Sequence, residues 1–406
     1  MRVANRLRFA GVLLLLAIII LGGYFLFSQI GSHLEGETPP PQAEHTPAPT
    51  PEPSPTPQPP SRVTVSAVGD VMCHSPEYNA ALKADGTYDF SEFFAPISDC
   101  LSAADFTLAN LETTISTDER GYSGYPCFKT PESLLPALKD AGVDVLTTSN
   151  NHCFDAGWFG VTHTIEKMES YGFLHTGTFT TPTDQGTPLI LEKDGVRIAV
   201  LAYTFGTNGM ETIIDADRLD YAVTYTDDWE QIHADIVTAR EQADVVIACV
   251  HWGGEYQREP VAEQQELAQK MMEAGVDAIL GSHPHVLQPM KFKDVTTEEG
   301  EQKRAFVVYS LGNFLSNQRD RYKDSGMVLN LTFEKNFTTG ATRIVDADYV
   351  PTYVHKYADA NGKNHYQVLP VSGYLGKDLE GNAGERLTAV WSETTGHMDT
   401  ENIKAR

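Results

Sequence analysis

Two hydrophobic patterns alternate along the chain from residue 61 onward. Apolar runs typical of buried strands cover residues 62–69, 106–111, 144–149, 197–204, 244–250, 277–282 and 305–311. Amphipathic stretches predict helices over residues 131–142, 159–172 and 262–275, and each of them ends in glycine, a frequent helix cap. Strands that alternate with helices of this length predict an α/β fold with buried sheets.

The pattern changes after residue 326. Residues 326–336 and 341–357 predict two antiparallel strands joined by a Thr-Thr-Gly turn. Residues 377–406 are polar and weakly patterned, so we expect a peripheral helix or a tail there. The sequence therefore predicts a main domain over residues 61–350 and a C-terminal extension over residues 351–406, either packed on that domain or trailing from it.

The N-terminal residues follow another pattern. Residues 10–30 are an almost unbroken apolar run, about as long as a helix that spans a bilayer, and Arg2, Arg6 and Arg8 precede it. The positive-inside rule places residues 1–9 in the cytoplasm and everything after the span outside the cell, anchored to the cell membrane. The alternative is a cleaved signal peptide, which normally has a shorter apolar core. Residues 31–60, proline-rich from residue 37, predict an extended extracellular linker.

The net charge limits the possible partners, and the cysteine content limits the possible disulfides. The formal net charge is −25, and no basic tract exists to neutralise phosphates, so we exclude nucleic acid as a partner. Five cysteines are too few for a disulfide scaffold in a domain of this size. Cys73, Cys127 and Cys153 lie near candidate site residues, and both a structural pair and inert thiols are possible for them.

Residues able to bind metals recur where the predicted strands end. They are Asp70, Asn110, Glu112, Asn150, Asn151, His152, Asp155, His251, Glu255, His283 and His285. Ligand sites of α/β sheets lie at the carboxyl ends of the strands. Carboxylates, amides and neutral imidazoles suit Zn, Mn or Fe. The pattern predicts a site for one or two divalent transition metals, since two ions about 3.5–4 Å apart can activate a water molecule.

The motifs GDVM, NLE, SNNHCFDAG, HWGGEY, GSHPHVLQP and YSLGNF occur in this order between residues 62 and 318. In this arrangement the chain resembles the CapA family of poly-γ-glutamate capsule biosynthesis proteins, within the calcineurin-like metallophosphoesterase superfamily. The resemblance implies a four-layer α/β/β/α sandwich with a dinuclear metal site between the sheets. It also implies an anchored domain outside the cell that works with a membrane-bound polymer synthase.

The resemblance also implies roles for single residues. The implied metal ligands are Asp70 and His285 at the first site, Glu112 as the bridge, and Asn151, His251 and His283 at the second site. His152 would act as the general acid or the oxyanion donor, oriented by Asp155. The candidates for substrate contact are Asn110, Asn150, Trp252, Glu255 and Asn313, and Trp252 either walls the pocket or simply packs.

The sequence departs from the superfamily pattern in two places. The superfamily opens with Asp-x-His, whereas this chain has Met72 after Asp70 and Val71, and a thioether is a poor ligand for hard divalent ions. His74 either replaces the missing ligand or is an ordinary turn histidine. The bridging residue is normally Asp, and here it is Glu112. These changes argue against strong phosphatase activity.

The leading interpretation is an extracellular, membrane-anchored protein that supports synthesis, export or tethering of an anionic γ-glutamyl polymer, together with polymer synthase or export subunits. A metal-dependent hydrolase of an envelope phosphoester or amide is the first alternative. A non-catalytic assembly subunit of a polymer-export complex is the second. The sequence therefore leaves open whether the protein is an enzyme.

Overall fold

All seven apolar runs that were predicted as buried strands form strands of two sheets. The computed structural model describes residues 58–381 and 383–406. Its strands are β1 Ser61–Val71, β2 Phe106–Leu111, β3 Thr114–Ser116, β4 Lys129–Pro131, β5 Val145–Thr147, β6 Leu174–Thr176, β7 Leu189–Lys193, β8 Val196–Thr204, β9 Val245–His251, β10 Ala278–Ser282, β11 Leu287–Thr296, β12 Gln302–Leu311, β13 Asn313–Leu315, β14 Ser325–Lys335, β15 Thr342–Ala358 and β16 Asn364–Pro370.

Helices connect these strands. The α-helices are Ser75–Ala81, Ser91–Phe94, Ser98–Leu101, Leu134–Asp140, Gly157–Ser170, Pro182–Gln185, Ala216–Ala222, Trp229–Gln242, Ala262–Ala274, Val371–Tyr374 and Gly384–Met398. Short 3₁₀ turns occupy Ala95–Ile97 and Met210–Ile213. The glycines that were expected to end helices adopt positive φ at Gly142, Gly172 and Gly275, as a helix cap requires.

The first sheet has the strand order β16-β15-β14-β1-β2-β5-β6, with β13 beside β1. The second sheet has the order β11-β12-β10-β9-β8-β7. The strands β1, β2, β5 and β6 are parallel to one another, and so are β8, β9, β10 and β12. The carboxyl ends of the parallel strands therefore share one edge within each sheet, where ligand sites are expected. The predicted mixed α/β fold is confirmed.

Alternating side chains along the strands supply two different apolar clusters. Ile247 of β9 belongs to a cluster that also holds Val65 and Leu108 of the first sheet. Val246 and Ala248, its neighbours in sequence, belong to a separate cluster with residues of the helices Trp229–Gln242 and Ala262–Ala274. Successive residues of a strand point to opposite faces, so β9 is buried on both faces and reads as a continuous apolar run.

The predicted boundary at residue 350 does not separate two structural units. β14 and β15 pair antiparallel as predicted, but β15 crosses residue 350 and β16 adds a further strand to the same sheet. The peripheral helix expected in the C-terminal region is Gly384–Met398, which buries Leu387 and Val390 against Tyr353 and Leu369. The C-terminal residues are therefore part of the α/β unit.

The predicted membrane span, residues 10–30, and nearly all of the linker, residues 31–60, lie outside the described residues. Within residues 58–381 and 383–406, no helix combines the length and apolar character that crossing a bilayer requires.

Asp235 on the helix Trp229–Gln242 is half-buried, and its ionisation costs stability. Burial raises its pKa from 3.8 to about 6, although hydrogen bonds from Gln231 and Tyr203 act in the opposite direction. Because the folded-state pKa is raised, the stabilising contribution is complete below about pH 4 and is lost as the pH rises through about 6.

We therefore expect Asp235→Asn to raise the free energy of unfolding by about 1–2 kcal/mol at pH 7, after allowance for partial exposure. The gain should shrink towards zero near pH 4. Urea denaturation at both pH values measures it, with Glu241→Gln on the exposed side of the same helix as the control. An equal effect at both pH values would contradict this reading of Asp235.

Candidate metal centre

Five buried side chains converge at the carboxyl ends of β1, β2, β9 and β10. They are Asp70, Glu112, His251, His283 and His285, and none is more than 4% exposed. Ligand atoms of Glu112, His251 and His283 lie within 4.8 Å of one another, and so do those of Asp70, Glu112 and His285. Glu112 belongs to both groups, which is the arrangement that a bridging carboxylate requires.

His285 and His251 each have one ring nitrogen held by the protein and the other near Glu112. His285 Nδ1 lies 3.0 Å from Asp70 Oδ2 and 3.1 Å from Asn313 Oδ1, while its Nε2 lies 3.7 Å from Glu112 Oε1. His251 Nδ1 lies 2.9 Å from Ser282 Oγ, and its Nε2 lies 3.6 Å from Glu112 Oε1. Partners that fix one ring nitrogen orient the other towards a metal.

The Gly281–His285 turn aims two imidazoles into this centre at the cost of backbone strain. His283 and His285 have φ of 93° and 57°, which L-residues rarely adopt. The backbone is held by hydrogen bonds that Trp252 N donates to the Ser282 carbonyl and that Tyr256 N donates to the Pro284 carbonyl. Strain of this kind persists where the surroundings over-determine it, and it clusters at functional sites.

The electrostatics of the five side chains favour a bound cation. Burial, followed by repulsion from Asp70, raises the pKa of Glu112 well above its ordinary value. Burial lowers the pKa of His251, and lowers that of His283 to about 3, so both imidazoles are neutral and can donate lone pairs. Both Glu112 oxygens and His283 Nδ1 are buried without a hydrogen-bond partner. A divalent metal would supply the missing partner for all three atoms.

Gly281 lets the histidine turn approach the neighbouring strand. A Cβ at this position would overlap the backbone carbonyl of Tyr309 on β12. We expect Gly281→Ala to destabilise the fold by about 3 kcal/mol and to lower metal content, because the turn that carries His283 and His285 must move. Gly206→Ala is the control, since nothing lies within 4 Å of its Cβ position. Thermal unfolding and elemental analysis measure both effects, and a Gly281→Ala protein with wild-type stability would contradict the packing argument.

Of the other ligands that the resemblance implies, Asn151 lies at the centre. Its Oδ1 is 2.9 Å from His251 Nε2, and its Nδ2 donates to Asn208 Oδ1 at 3.3 Å. The amide oxygen therefore faces the group formed by Glu112, His251 and His283. Its role as a ligand stays a prediction.

His152 and Asp155 form a close, buried pair beside the centre. His152 Nδ1 lies 2.7 Å from Asp155 Oδ2, and the same carboxylate oxygen accepts a hydrogen bond from Phe128 N at 2.5 Å. The ring of Phe128 packs edge-on against the imidazole, with the ring centroids 4.6 Å apart. These contacts fix the ring orientation of His152, as a general acid or an oxyanion donor requires.

The three asparagines predicted to contact substrate are buried in the hydrogen-bond network behind the ligands. Asn110 Nδ2 donates to Asp70 Oδ1 at 2.8 Å. Asn150 Nδ2 donates to Asn110 Oδ1 and to the Leu111 carbonyl. Asn313 Nδ2 donates to Gln318 and to the Lys323 carbonyl, and its Oδ1 holds His285. Each position fits the orientation of ligands better than contact with substrate, because the polar groups of each side chain already bond to protein.

The two remaining candidates for substrate contact lie in different surroundings. Trp252 packs in the apolar cluster that contains Ile279, and its Nε1 donates to the Tyr309 carbonyl at 2.9 Å. This position corresponds to the packing alternative and not to a pocket wall. Glu255 is exposed, and its charge contributes to the raised pKa of the Glu112 carboxyl group. Glu255 therefore remains a candidate at the mouth of the centre.

His74 does not replace the ligand that is missing at Met72. Its Nδ1 lies 3.1 Å from Glu77 Oε2 and accepts a hydrogen bond from Asn317 N at 3.3 Å, at the start of the helix Ser75–Ala81. Met72 itself is buried. The turn-histidine alternative therefore describes His74, and the group around Asp70 keeps three candidate ligands from Asp, Glu and His.

The cysteines near the centre are free thiols. Burial raises the pKa of Cys73 and of Cys153, so neither forms a thiolate readily at neutral pH. The geometry therefore corresponds to the alternative of inert thiols.

Two aromatic side chains at the centre were missed from the sequence. The ring of Phe205 lies 4.4 Å from that of His283, and the ring of Tyr256 lies 6.1 Å from that of His285. Ser282, which holds His251, was missed as well. A single aromatic residue in a loop has no sequence pattern that marks it as part of a metal site. Their positions were the available indication, because Phe205 follows β8 and Tyr256 follows β9.

The fold and the centre together define an α/β protein with a candidate two-metal centre built on a shared carboxylate. Residues 64–318 match the model of the family described as bacterial capsule synthesis protein PGA_cap, and the chain belongs to this family.

Two curated relatives carry capsule-related names. The chain is 30% identical over 276 residues to the capsule biosynthesis protein CapA of Bacillus anthracis, which covers 66% of this chain and 63% of the relative. It is 29% identical over 273 residues to the PGA biosynthesis protein CapA of Bacillus subtilis (strain 168), which covers 66% of this chain and 67% of the relative. The chain therefore spans about two thirds of the length of these relatives.

The fold also has a distant likeness to a solved structure, that of a novel phosphatase from Mycoplasma pneumoniae. The two are 16% identical, and the match covers 72% of this chain and 93% of that chain with a TM-score of 0.41.

Proposed function

We propose that this protein supports the synthesis, export or tethering of poly-γ-glutamate, and that its two-metal centre contacts the polymer. The observation that carries the proposal is the pair of ligand groups that share Glu112, within residues that match the capsule synthesis family. The names of the two relatives supply the polymer class, which is an inference for this chain.

The proposal includes the architecture around the centre. The two sheets share one apolar cluster, and helices pack on the far face of the second sheet. This packing supports a four-layer α/β/β/α sandwich of the metallophosphoesterase type. Residues 10–30 would anchor the domain in the membrane, and residues 31–60 would carry it outside the cell, next to synthase or export subunits.

The side chains at the centre have separate tasks. A metal bound by Asp70, Glu112 and the histidines would polarise a carbonyl or phosphoryl oxygen of the ligand. His152, held by Asp155, would donate a proton or a hydrogen bond to an oxygen placed at the centre. The net charge of −25 repels a polyanion at long range, so the attraction has to come from the centre itself.

Hydrolysis of an envelope phosphoester or amide is the second candidate function. The observation that favours it is the 2.7 Å contact between His152 and Asp155, because a supporting structural protein needs no oriented imidazole beside its metal ligands. The departure at Met72, which leaves the first site short of one ligand, weighs against strong phosphatase activity.

Complementation tests the proposal. A strain that makes a poly-γ-glutamate capsule, and from which its own capsule protein of this family has been deleted, would express the full chain, Glu112→Ala or Val237→Ala. We expect the wild type and Val237→Ala to restore polymer, and Glu112→Ala to fail at equal protein level. Restoration by Glu112→Ala would favour the non-catalytic assembly subunit, and no restoration by the wild type would contradict the proposed polymer class.

Purified protein separates the two catalytic alternatives. Release of γ-linked fragments from poly-γ-glutamate would identify the polymer as substrate. Turnover of bis(p-nitrophenyl) phosphate without polymer cleavage would instead favour the phosphoester hydrolase.

A further inference from the structure

Phe205 and Tyr256 are large aromatic residues exposed to solvent beside a buried centre. They are 44% and 46% exposed. Each faces one imidazole of the Gly281–His285 turn, Phe205 that of His283 and Tyr256 that of His285. Phe205 also lies nearly parallel to the ring of His251, with the centroids 6.2 Å apart. Both rings therefore have one part in solvent and another part beside a candidate metal ligand.

The backbone at Tyr256 is held in a conformation that its side chain disfavours. Its φ is 65°, in the left-handed region, and its N–H is fastened to the carbonyl of Pro284 at 2.8 Å. The ammonium group of Lys323 lies 4.0 Å from the ring centroid and fixes the ring from one face. An exposed aromatic residue with a strained backbone and a fixed ring fits a binding role better than packing.

A hydrogen-bond chain connects Tyr256 to the centre. Gln318 Nε2 donates to the Tyr256 hydroxyl at 3.4 Å, and Gln318 Oε1 accepts from Asn313 Nδ2 at 3.1 Å. Asn313 Oδ1 in turn holds Nδ1 of His285. The position of the phenol ring is thus set by the same residues that orient a candidate metal ligand.

The two aromatic rings and the buried centre together match one chemical feature of a γ-glutamyl chain. Each γ-linked unit places two methylene groups in the main chain between a carboxylate-bearing carbon and an amide carbonyl. Aromatic faces bind apolar segments, while the centre binds carboxylate or carbonyl oxygens.

We propose that Phe205 and Tyr256 are the substrate-contacting walls at the entrance of the metal centre, and that they hold the methylene segment of a γ-glutamyl chain. The inference rests on the proposed function, because that function supplies the polymer.

Isothermal titration of the full-length, detergent-extracted chain, supplied with Mn²⁺, tests the inference with a short γ-linked glutamate oligomer as ligand. We expect Phe205→Ala and Tyr256→Ala each to weaken binding about fivefold or more, since each removes one aromatic contact. Tyr256→Phe, which keeps the ring, should bind more tightly than Tyr256→Ala. Val237→Ala changes a similarly exposed residue on the helix Trp229–Gln242 and should bind within about twofold of wild type. Metal content should be unchanged in all four variants.

An α-linked glutamate oligomer of equal charge should bind the wild type more weakly, because its main chain lacks the methylene pair. If the wild type binds the γ-linked oligomer and both alanine variants bind it equally well, the inference is wrong and the proposed function stands. If the wild type does not bind the γ-linked oligomer, the proposed function fails, and the inference fails with it.

Discussion

His152→Ala is expected to lower turnover by about 10²–10⁴-fold, or to abolish polymer production, while the metal content stays at the wild-type value. Loss of a positioned general acid has an effect of this size. His152 is absent from both ligand groups that share Glu112, and its Nδ1 is occupied by Asp155 at 2.7 Å. The residue can therefore act on a ligand without holding a metal.

Two further measurements separate this role from packing. His152→Gln keeps an amide that can hydrogen-bond to Asp155, so we expect it to preserve the melting temperature and still to lose activity. A packing role predicts that His152→Ala loses stability and metal together, and that His152→Gln recovers activity. Full activity in His152→Ala, with normal metal content, would show that the assigned role is wrong.

Glu112→Ala is expected to remove all of the bound metal, because both ligand groups include this carboxylate. His283→Ala removes a ligand from only one group, so we expect it to retain metal at the other. The comparison is made by elemental analysis of proteins dialysed against the same metal solution. Equal metal content in wild type, Glu112→Ala and His283→Ala would contradict the assignment.

Glu112→Gln adds a stability readout that is measured both without and with metal. In the presence of a chelator the buried Glu112 carboxylate lacks a cation, and its raised pKa means that ionisation of Glu112 destabilises the fold as the pH rises towards neutral. We expect Glu112→Gln to melt at a higher temperature than wild type at pH 7 with chelator, and at a lower temperature than wild type when Mn²⁺ is present. If Glu112→Gln melts above wild type under both conditions, or below wild type under both, the metal role of Glu112 is contradicted.

Much of the fold could be predicted because parallel strands buried on both faces read as continuous apolar runs. β2, for example, has the bounds that its apolar run predicts, Phe106–Leu111. The helix Trp229–Gln242 was not predicted, since its buried face consists of only Ile232, Ile236 and Ala239. β16 was missed for a similar reason, because only part of this edge strand is buried.

The cluster of candidate ligands was predictable for a topological reason. Side chains at the carboxyl ends of neighbouring parallel strands meet, and register pairs Asp70 with Asn110 and His251 with Ser282. The residue type alone did not predict which side chains face the centre and which enter the core. Trp252 follows His251 directly, so its side chain leaves the strand on the opposite face and enters the core.

The roles of the buried asparagines depended on contacts that no local pattern encodes. Asn110 and Asn313 both lie beside Asp70 in the sheet, one on each neighbouring strand. Their amides are therefore held against ligands and not towards solvent. His74 is the opposite case. It lies only four residues after Asp70, but it caps the helix Ser75–Ala81 next to Glu77 and does not join the centre.

We propose that the shared carboxylate of Glu112 bridges two metal ions. Anomalous diffraction from crystals grown with Mn²⁺ tests it most directly. We expect two peaks about 3.5–4 Å apart, both within ligand distance of Glu112, one next to His285 and the other next to His251 and His283. Metal peaks elsewhere in the chain, or no peak at Glu112 in the presence of excess Mn²⁺, would contradict it.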